Sequence, residues 1–153
     1  MYEMLGNQYF LARRYENAVD AYKKVLNKDN ANKSVRRRLI ICYSQVNKID
    51  EALDVFISLV EDDVDYIINT DPVGEDCPCP ELVSELESNL DVEDANRDAY
   101  VRLGMLWLFC SPKKSIDHFA TALSLEPDND KLRHVHQLLV SHFNHMMTDE
   151  SIT

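Results

Sequence analysis

Glycine and proline are scarce in this chain. It has three glycines and five prolines among 153 residues, and 45% of its residues are hydrophobic. Folds built from many short strands need frequent turn residues, so this composition disfavours them and favours helices. The chain is long enough to bury the core of one domain. We therefore expect an all-α protein.

Long apolar runs are also missing. No stretch of about 18 uncharged apolar residues occurs, as a membrane-spanning helix would require, and the N-terminus lacks the basic-then-apolar pattern of a secretory signal. The four cysteines are too few and too scattered for a secreted disulfide framework. We expect a cytoplasmic protein with no membrane partner, in which Cys42 and Cys110 are small core residues.

Basic residues are absent from the middle third of the chain. Residues 49–96 contain sixteen acidic side chains and no Lys or Arg, whereas residues 1–48 contain ten basic and four acidic ones. With a formal net charge of −11, the chain is a poor candidate for nucleic-acid binding, which depends on cationic neutralisation of phosphates. The acidic block is either a solubilising surface or a face that meets the basic region of a second copy, giving a homo-oligomer.

Internal repeats organise the apolar pattern. Apolar residues recur at helical spacing over residues 2–13, from Ala18 to Leu26, and over residues 33–46 and 49–61, which predicts two antiparallel helical hairpins. The two hairpins match at a fixed offset of 34 residues: Leu5 with Leu39, Tyr9 with Tyr43, Ala18 with Ala52, and Tyr22 with Phe56.

A third copy lies further along the chain. The motif Tyr2-x-x-Leu5-Gly6-x-x-Tyr9 returns 98 residues later as Tyr100-x-x-Leu103-Gly104-x-x-Trp107. Its partner helix is predicted to start near Pro112, because proline suits the first turn of a helix. Between the second and third copies, Pro80-Glu81 starts another helix, and a segment of about residues 62–69 supplies a short first helix.

These residues make the chain similar to tetratricopeptide repeat proteins, whose 34-residue unit has an aromatic and small-residue signature of this form. The resemblance implies a right-handed α-α superhelix of helical hairpins in one domain, residues 1–147, closed by a C-terminal helix. Leu5, Gly6, Tyr9 and Ala18 would then be packing positions. The boundaries that we expect are units of about 1–32, 33–64, 65–96 (degenerate) and 97–128, a closing helix of 129–147, and a flexible tail of 148–153.

The family resemblance also places a binding groove along the first helix of each hairpin, and so implies a non-enzymatic module that binds a protein or peptide partner. The expected binding residues are Asn7, Phe10, Leu11, Arg37, Arg38, Ile41, Gln45, Val101, Arg102, Met105, Leu108 and Phe109. Arginines between apolar walls suit a peptide that has an acidic group and apolar anchors. Alternatively, Arg36, Arg37 and Arg38 form a solvated or intramolecularly paired face. The second functional interpretation is a homo-oligomeric structural or chaperone-like adaptor that uses the acidic flank and the apolar end faces of the array.

One subset of the family grips the C-terminal carboxylate of chaperone tails with Lys and Asn side chains. Asn7 and Arg102 occupy similar places here, but Glu3 and Asp98 stand where cations are needed. The sequence therefore disfavours that ligand.

Catalytic and metal-binding patterns are missing. The sequence has no nucleophile elbow, no phosphate-cradling glycine loop and no paired acid and base. Cys77-Pro78-Cys79 has neither the spacing nor the second ligand pair of a zinc site. All five histidines lie in residues 118–145 without a carboxylate at ligand spacing. We expect no catalytic residues, no metal and no cofactor.

Overall fold

A computed structural model describes residues 1–71, 79–88, 90 and 96–152, and it describes their side chains except at 79, 80 and 145–152. Every regular element in this part of the chain is a helix, so the all-α expectation is confirmed. The helices are α1 (Tyr2–Leu11), α2 (Tyr15–Lys28), α3 (Lys33–Gln45), α4 (Ile49–Ile68), α5 (Cys79–Ser88), α6 (Arg97–Trp107), α7 (Pro112–Leu125) and α8 (Asp130–Ile152).

The chain divides into two compact units, an N-terminal unit of Met1–Cys77 and a C-terminal unit of Pro78–Thr153. In the N-terminal unit, α1 packs against α2, α3 packs against α4, and α2 joins the two hairpins by packing against α3. In the C-terminal unit, α6 packs against α7, which also packs against α8, while α5 packs against α6. The single domain of residues 1–147 stays a prediction.

The two hairpins of the N-terminal unit turn in the same way. Arg13, between α1 and α2, has φ 60°, and Asn47, between α3 and α4, has φ 63°. These left-handed residues are 34 positions apart, so the offset found in the sequence is repeated in the backbone. A single left-handed residue lets the chain leave one helix and enter the next within a short turn.

Polar side chains cap four of the described helices, including α8, where Asn129 accepts a hydrogen bond from the Leu132 amide. Asn32 accepts a hydrogen bond from the Val35 amide at the start of α3, and Asn96 accepts one from the Ala99 amide at the start of α6. Ser111 accepts one from the Lys114 amide at the start of α7, with Pro112 in the first turn as predicted. Each cap satisfies a backbone donor that lacks a partner within the helix.

The long helix α4 is interrupted at Asp63, whose φ of −165° and ψ of 83° are not helical. The chain is helical on both sides of this residue, which agrees with the prediction of a second-unit helix over 49–61 followed by a short helix over 62–69. The last helix, α8, continues to Ile152, beyond the predicted end at residue 147.

Two packing predictions were wrong. Cys110 is exposed rather than part of the core, because α6 ends at Trp107 and Cys110 lies in the turn that follows, where its amide donates to the Trp107 carbonyl. Leu5 is 38% exposed, so it is not enclosed between helices. Cys42 is buried, as expected. Cys77, Pro78 and the side chain of Cys79 lie outside the described residues.

Candidate protein-binding site

A polar cluster connects α1, α2 and α3 in the N-terminal unit. The Tyr22 hydroxyl donates to the Asn7 carbonyl oxygen, Oδ1, at 2.6 Å, and Arg38 Nη1 donates to the same oxygen at 2.8 Å. The Arg38 guanidinium carbon also lies 4.9 Å from the centre of the Phe10 ring. Asn7 and Arg38 are both partly exposed. The cluster therefore holds one amide and one guanidinium group at the surface between the first helices of the two hairpins.

Tyr22 is the buried anchor of this cluster. Burial raises its pKa to about 12, although the hydrogen bond with Arg38 and the charge of Arg38 act in the opposite direction. The hydroxyl is therefore a proton donor at neutral pH. Asn7 Oδ1 accepts the hydrogen bonds from the Tyr22 hydroxyl and from Arg38 Nη1, which fixes the orientation of the amide. The Nδ2 group of Asn7 is then the hydrogen-bond donor.

The neighbouring arginines are engaged inside the unit. Arg37 is only 6% exposed; its Nη1 lies 3.3 Å from both the Tyr66 carbonyl oxygen and the Thr70 hydroxyl oxygen, and its guanidinium carbon lies 4.4 Å from the centre of the Tyr66 ring. Arg36 Nη2 lies 2.8 Å from Asp62 Oδ2. Both side chains hold α3 to the end of α4, close to the interruption at Asp63. This is the intramolecular pairing that the sequence left as the alternative for the arginine triplet.

Burial divides the predicted binding residues into two groups. Seven are at most 6% exposed: Phe10, Arg37, Ile41, Val101, Met105, Leu108 and Phe109. The other five, Asn7, Leu11, Arg38, Gln45 and Arg102, are partly or fully exposed. Four of these five lie in the N-terminal unit, on α1 and α3. A ligand can reach them without displacing buried side chains.

The fifth of these residues, Arg102, is on α6 in the C-terminal unit. Burial lowers the pKa of its guanidinium group, and the charge of Asp98 opposes that effect. Asp98 is one of the two acids that disfavour the chaperone-tail ligand. It lies one helical turn before Arg102.

The C-terminal unit contains a second polar cluster, which the sequence did not predict. Glu87 Oε1 on α5 accepts a hydrogen bond from the Trp107 indole nitrogen of α6 at 2.7 Å, and it lies 3.1 Å from His118 Nε2 of α7. Lys114 Nζ lies 4.2 Å from the centre of the Trp107 ring. One carboxylate thus joins three helices. The sequence feature that could have indicated this cluster is Trp107, which stands where the other units have tyrosine, because a partly buried indole needs a hydrogen-bond acceptor.

Two surface depressions formed by described residues of the N-terminal unit contain none of the twelve predicted residues. One, of about 330 Å³, is lined by Met1, Tyr2, Glu3, Lys24, Val25, Lys28, Asp29 and Asn32. The other, of about 210 Å³, is lined by Glu16, Val19, Asp20, Val46 and Lys48. Both are open and mixed in polarity, unlike the mostly apolar concave pockets that enclose small molecules.

None of the helices in the described residues has both the length and the apolar character to cross a membrane. No group of three or more His, Cys, Asp or Glu side chains in this part of the chain is arranged to hold a metal ion.

Comparison with known proteins gives similarities of two kinds. Residues 9–68 match the family model described as tetratricopeptide repeat, and no curated protein matches the chain. Among solved structures, "First TPR of Spaghetti (RPAP3) bound to HSP90 peptide SRMEEVD" is 18% identical, covers 94% of this chain and 90% of that one, and has a TM-score of 0.37.

Two other solved structures are similar to a comparable degree. The first TPR domain of the human RPAP3 protein is 22% identical, with 94% of this chain and 93% of that one covered and a TM-score of 0.37. The MamA protein is 19% identical, with 99% and 84% covered and a TM-score of 0.39. The similarity to tetratricopeptide repeats rests on the sequence model and on the helical hairpins with their 34-residue offset. Residues 9–68, which match the family model, are the segment of this chain that is identified as tetratricopeptide repeat.

Proposed function

We propose that this chain is a non-enzymatic protein-interaction module and that the first helices of its N-terminal hairpins bind a peptide segment of a partner. The observation that carries the proposal is the pairing of Asn7 with Arg38 at a partly exposed position, 2.8 Å apart. The family match over residues 9–68 supports it, because tetratricopeptide repeats serve as protein-binding scaffolds.

The chemistry of these side chains favours a peptide with a carboxylate and an apolar residue beside it. Arg38 supplies a guanidinium group and Asn7 supplies amide N–H donors, and a carboxylate can accept hydrogen bonds from both. Leu11, 54% exposed, provides apolar contact area on the same helix as Asn7. Gln45, at the other end of α3, can bond to the backbone of an extended segment. We assign the acidic contact to Arg38 because Arg38 is partly exposed, whereas Arg37 is only 6% exposed.

Selection from a random peptide library displayed on phage, followed by affinity measurement of the selected peptides, tests this function. We expect acidic residues to be enriched, and we expect Arg38→Glu to weaken binding by at least about tenfold, since the loss of a charged hydrogen-bond partner costs about 1.5–3 kcal/mol. Gln45→Arg should weaken binding through loss of its amide and steric obstruction.

The matched control is Arg133→Glu, on an exposed part of α8 in the C-terminal unit. It makes the same charge change and should leave the affinity within about twofold. Circular dichroism must show equal helix content in all variants. Selected peptides that bind Arg38→Glu and the parent protein equally would contradict the proposal, as would a selection that yields no binders.

A further inference from the structure

Helix α1 is apolar on two opposite faces. One face carries Gly6 and Phe10, which are buried against the rest of the N-terminal unit. At 100° per residue, the opposite face forms a stripe about 120° wide. We call it the α1 stripe, and its members are Met1, Met4, Leu5, Gln8, Leu11 and Ala12.

All six members of the α1 stripe are exposed, and only Gln8 is polar. Met4 is 69% exposed, Leu5 38% and Leu11 54%. Scattered exposed apolar residues are normal on a protein surface, but these are contiguous and repeat at the spacing with which helices pack on one another. The stripe therefore has the pattern of a helix-packing surface that none of residues 1–71 covers.

Two cations border the α1 stripe on the side of α2. Lys24 Nζ lies 4.9 Å from the centre of the Tyr2 ring, and the Arg14 guanidinium carbon lies 5.9 Å from the centre of the Tyr9 ring. Tyr2 and Tyr9 flank the stripe on the helical wheel, so both cations lie along one edge of it. Arg38, which contacts Asn7 and the ring of the buried Phe10, lies farther around the helix.

The acids of the two helices lie elsewhere. Glu16 and Asp20 of α2 line the depression that also contains Val46 and Lys48, which places them toward the turn between α3 and α4. Glu3, the acid of α1, lines the other depression together with Met1 and Lys24, but it is about 140° around the helix from the centre of the stripe. The cations that contact the two flanking tyrosines, Lys24 and Arg14, therefore give this edge of the stripe its charge.

We propose that the α1 stripe binds an acidic amphipathic helix of a partner protein, separately from the peptide bound by Arg38 and Gln45. The apolar side of that helix covers Met4 and Leu5, and the carboxylates along one flank approach Lys24 and Arg14. Helices recognise one another in this way when an apolar seam is flanked by complementary charges. Two copies of this chain are a poorer match, because pairing two such stripes would bring their cations together.

A pair of designed peptides provides the probe. Each is a fluorescein-labelled helix of about three heptads with Leu at positions a and d; one has Glu at e and g, and its twin has Lys there. Binding to the full chain is followed by fluorescence anisotropy. We expect the Glu peptide to bind with a micromolar Kd and the Lys twin to bind at least about tenfold more weakly.

Variants assign the binding to the stripe. Met4→Glu should weaken binding of the Glu peptide by about tenfold, because it places a charge in the apolar seam next to acidic flanks. Leu125→Glu is the matched control, because Leu125 is 51% exposed on α7. The affinity of this variant for the Glu peptide should stay within about twofold of that of the parent chain. Gln45→Arg should bind the Glu peptide normally, which distinguishes a failure of the peptide site on α3 from a failure of the stripe.

Three results would overturn the proposal. The first is equal binding of the Glu and Lys peptides, and the second is equal binding by Met4→Glu and the parent chain. The third is a dimer of the chain alone in sedimentation velocity that Met4→Glu dissociates, which would make a second copy the occupant of the α1 stripe.

Discussion

Gly6 lies directly against the ring of Tyr22: a Cβ at Gly6 would stand 2.5 Å from Cε1 of that ring. The same relationship exists in the C-terminal unit, where a Cβ at Gly104 would stand 2.8 Å from Cδ2 of Phe119. Real Cβ atoms do not approach other carbons so closely. Gly6 and Gly104 are thus required by the aromatic residues of the second helices in their hairpins, Tyr22 and Phe119.

Gly6→Ala should destabilise the protein even though alanine is the better helix former. The gain in helix propensity is about 1 kcal/mol, whereas overpacking against a fully buried ring costs about 1–3 kcal/mol. We expect a net loss of stability, measured by urea denaturation. On a Tyr22→Leu background, where the ring is absent, Gly6→Ala should cost less. An equal cost on both backgrounds would show that the ring is not the cause.

Arg37 is predicted to stabilise the N-terminal unit rather than to bind a ligand directly. Arg37→Ala leaves the Tyr66 carbonyl and the Thr70 hydroxyl without this donor and removes the contact with the Tyr66 ring, so we expect a loss of about 2–3 kcal/mol. Arg14→Ala, which removes an exposed cation 5.9 Å from the Tyr9 ring, should cost less than about 1 kcal/mol. Similar losses for the two variants in chemical denaturation would argue against this role.

The sequence was sufficient to predict the hairpins because their determinants are local and repeated. The offset between Tyr9 and Tyr43 located two helices, and Pro112 marked the start of α7. The arginine triplet could not be resolved in the same way. Which of Arg36, Arg37 and Arg38 turns inward depends on where the end of α4 lies after the interruption at Asp63, a contact between segments about 30 residues apart.

The residues on the exposed face of α1 could not be assigned from the sequence, for a different physical reason. Helical spacing of apolar residues identifies a helix but does not say which of two apolar faces is covered by its neighbours. In α1 both faces are apolar, so Leu5 was predicted to be an interhelical packing residue, although it belongs to the α1 stripe. Likewise, no local pattern joins Glu87 to Trp107 and His118, because that cluster requires α5, α6 and α7 to be packed first.

The single tryptophan, Trp107, can report on that cluster. Glu87→Ala removes the acceptor of the indole N–H and the contact with His118, which loosens α5 from α6 and α7. We expect the tryptophan emission to shift to longer wavelength as water reaches the ring, together with a loss of about 1–3 kcal/mol of stability. Glu85→Ala, on an exposed part of the same helix, is the matched control and should leave the emission unchanged. Identical spectra for both variants would contradict the proposed attachment of α5.

Stability should fall at alkaline pH because buried groups of the N-terminal unit keep their protons. Burial raises the pKa of the Cys42 thiol from 9.0 to about 12, and that of the Tyr22 hydroxyl from 10.0 to about 12. In the unfolded chain both groups ionise at their ordinary values. Their contribution to stability is therefore complete below pH 9 and is lost as the pH rises from 9 to about 12.

Cys42→Ala separates the thiol from the hydroxyl in this pH dependence. The substitution lowers stability at pH 8 by removing buried volume, but the variant has no thiol to ionise on unfolding. Its urea midpoint should accordingly fall less than that of the parent between pH 9 and 10, where the Cys42 effect begins before that of Tyr22. Burial also raises the pKa of the Cys110 thiol, but this residue is exposed and lies outside the core, so Cys110→Ala should leave the shape of the curve closer to that of the parent. Parallel curves for Cys42→Ala and the parent over this range would show that the buried thiol does not control the alkaline transition.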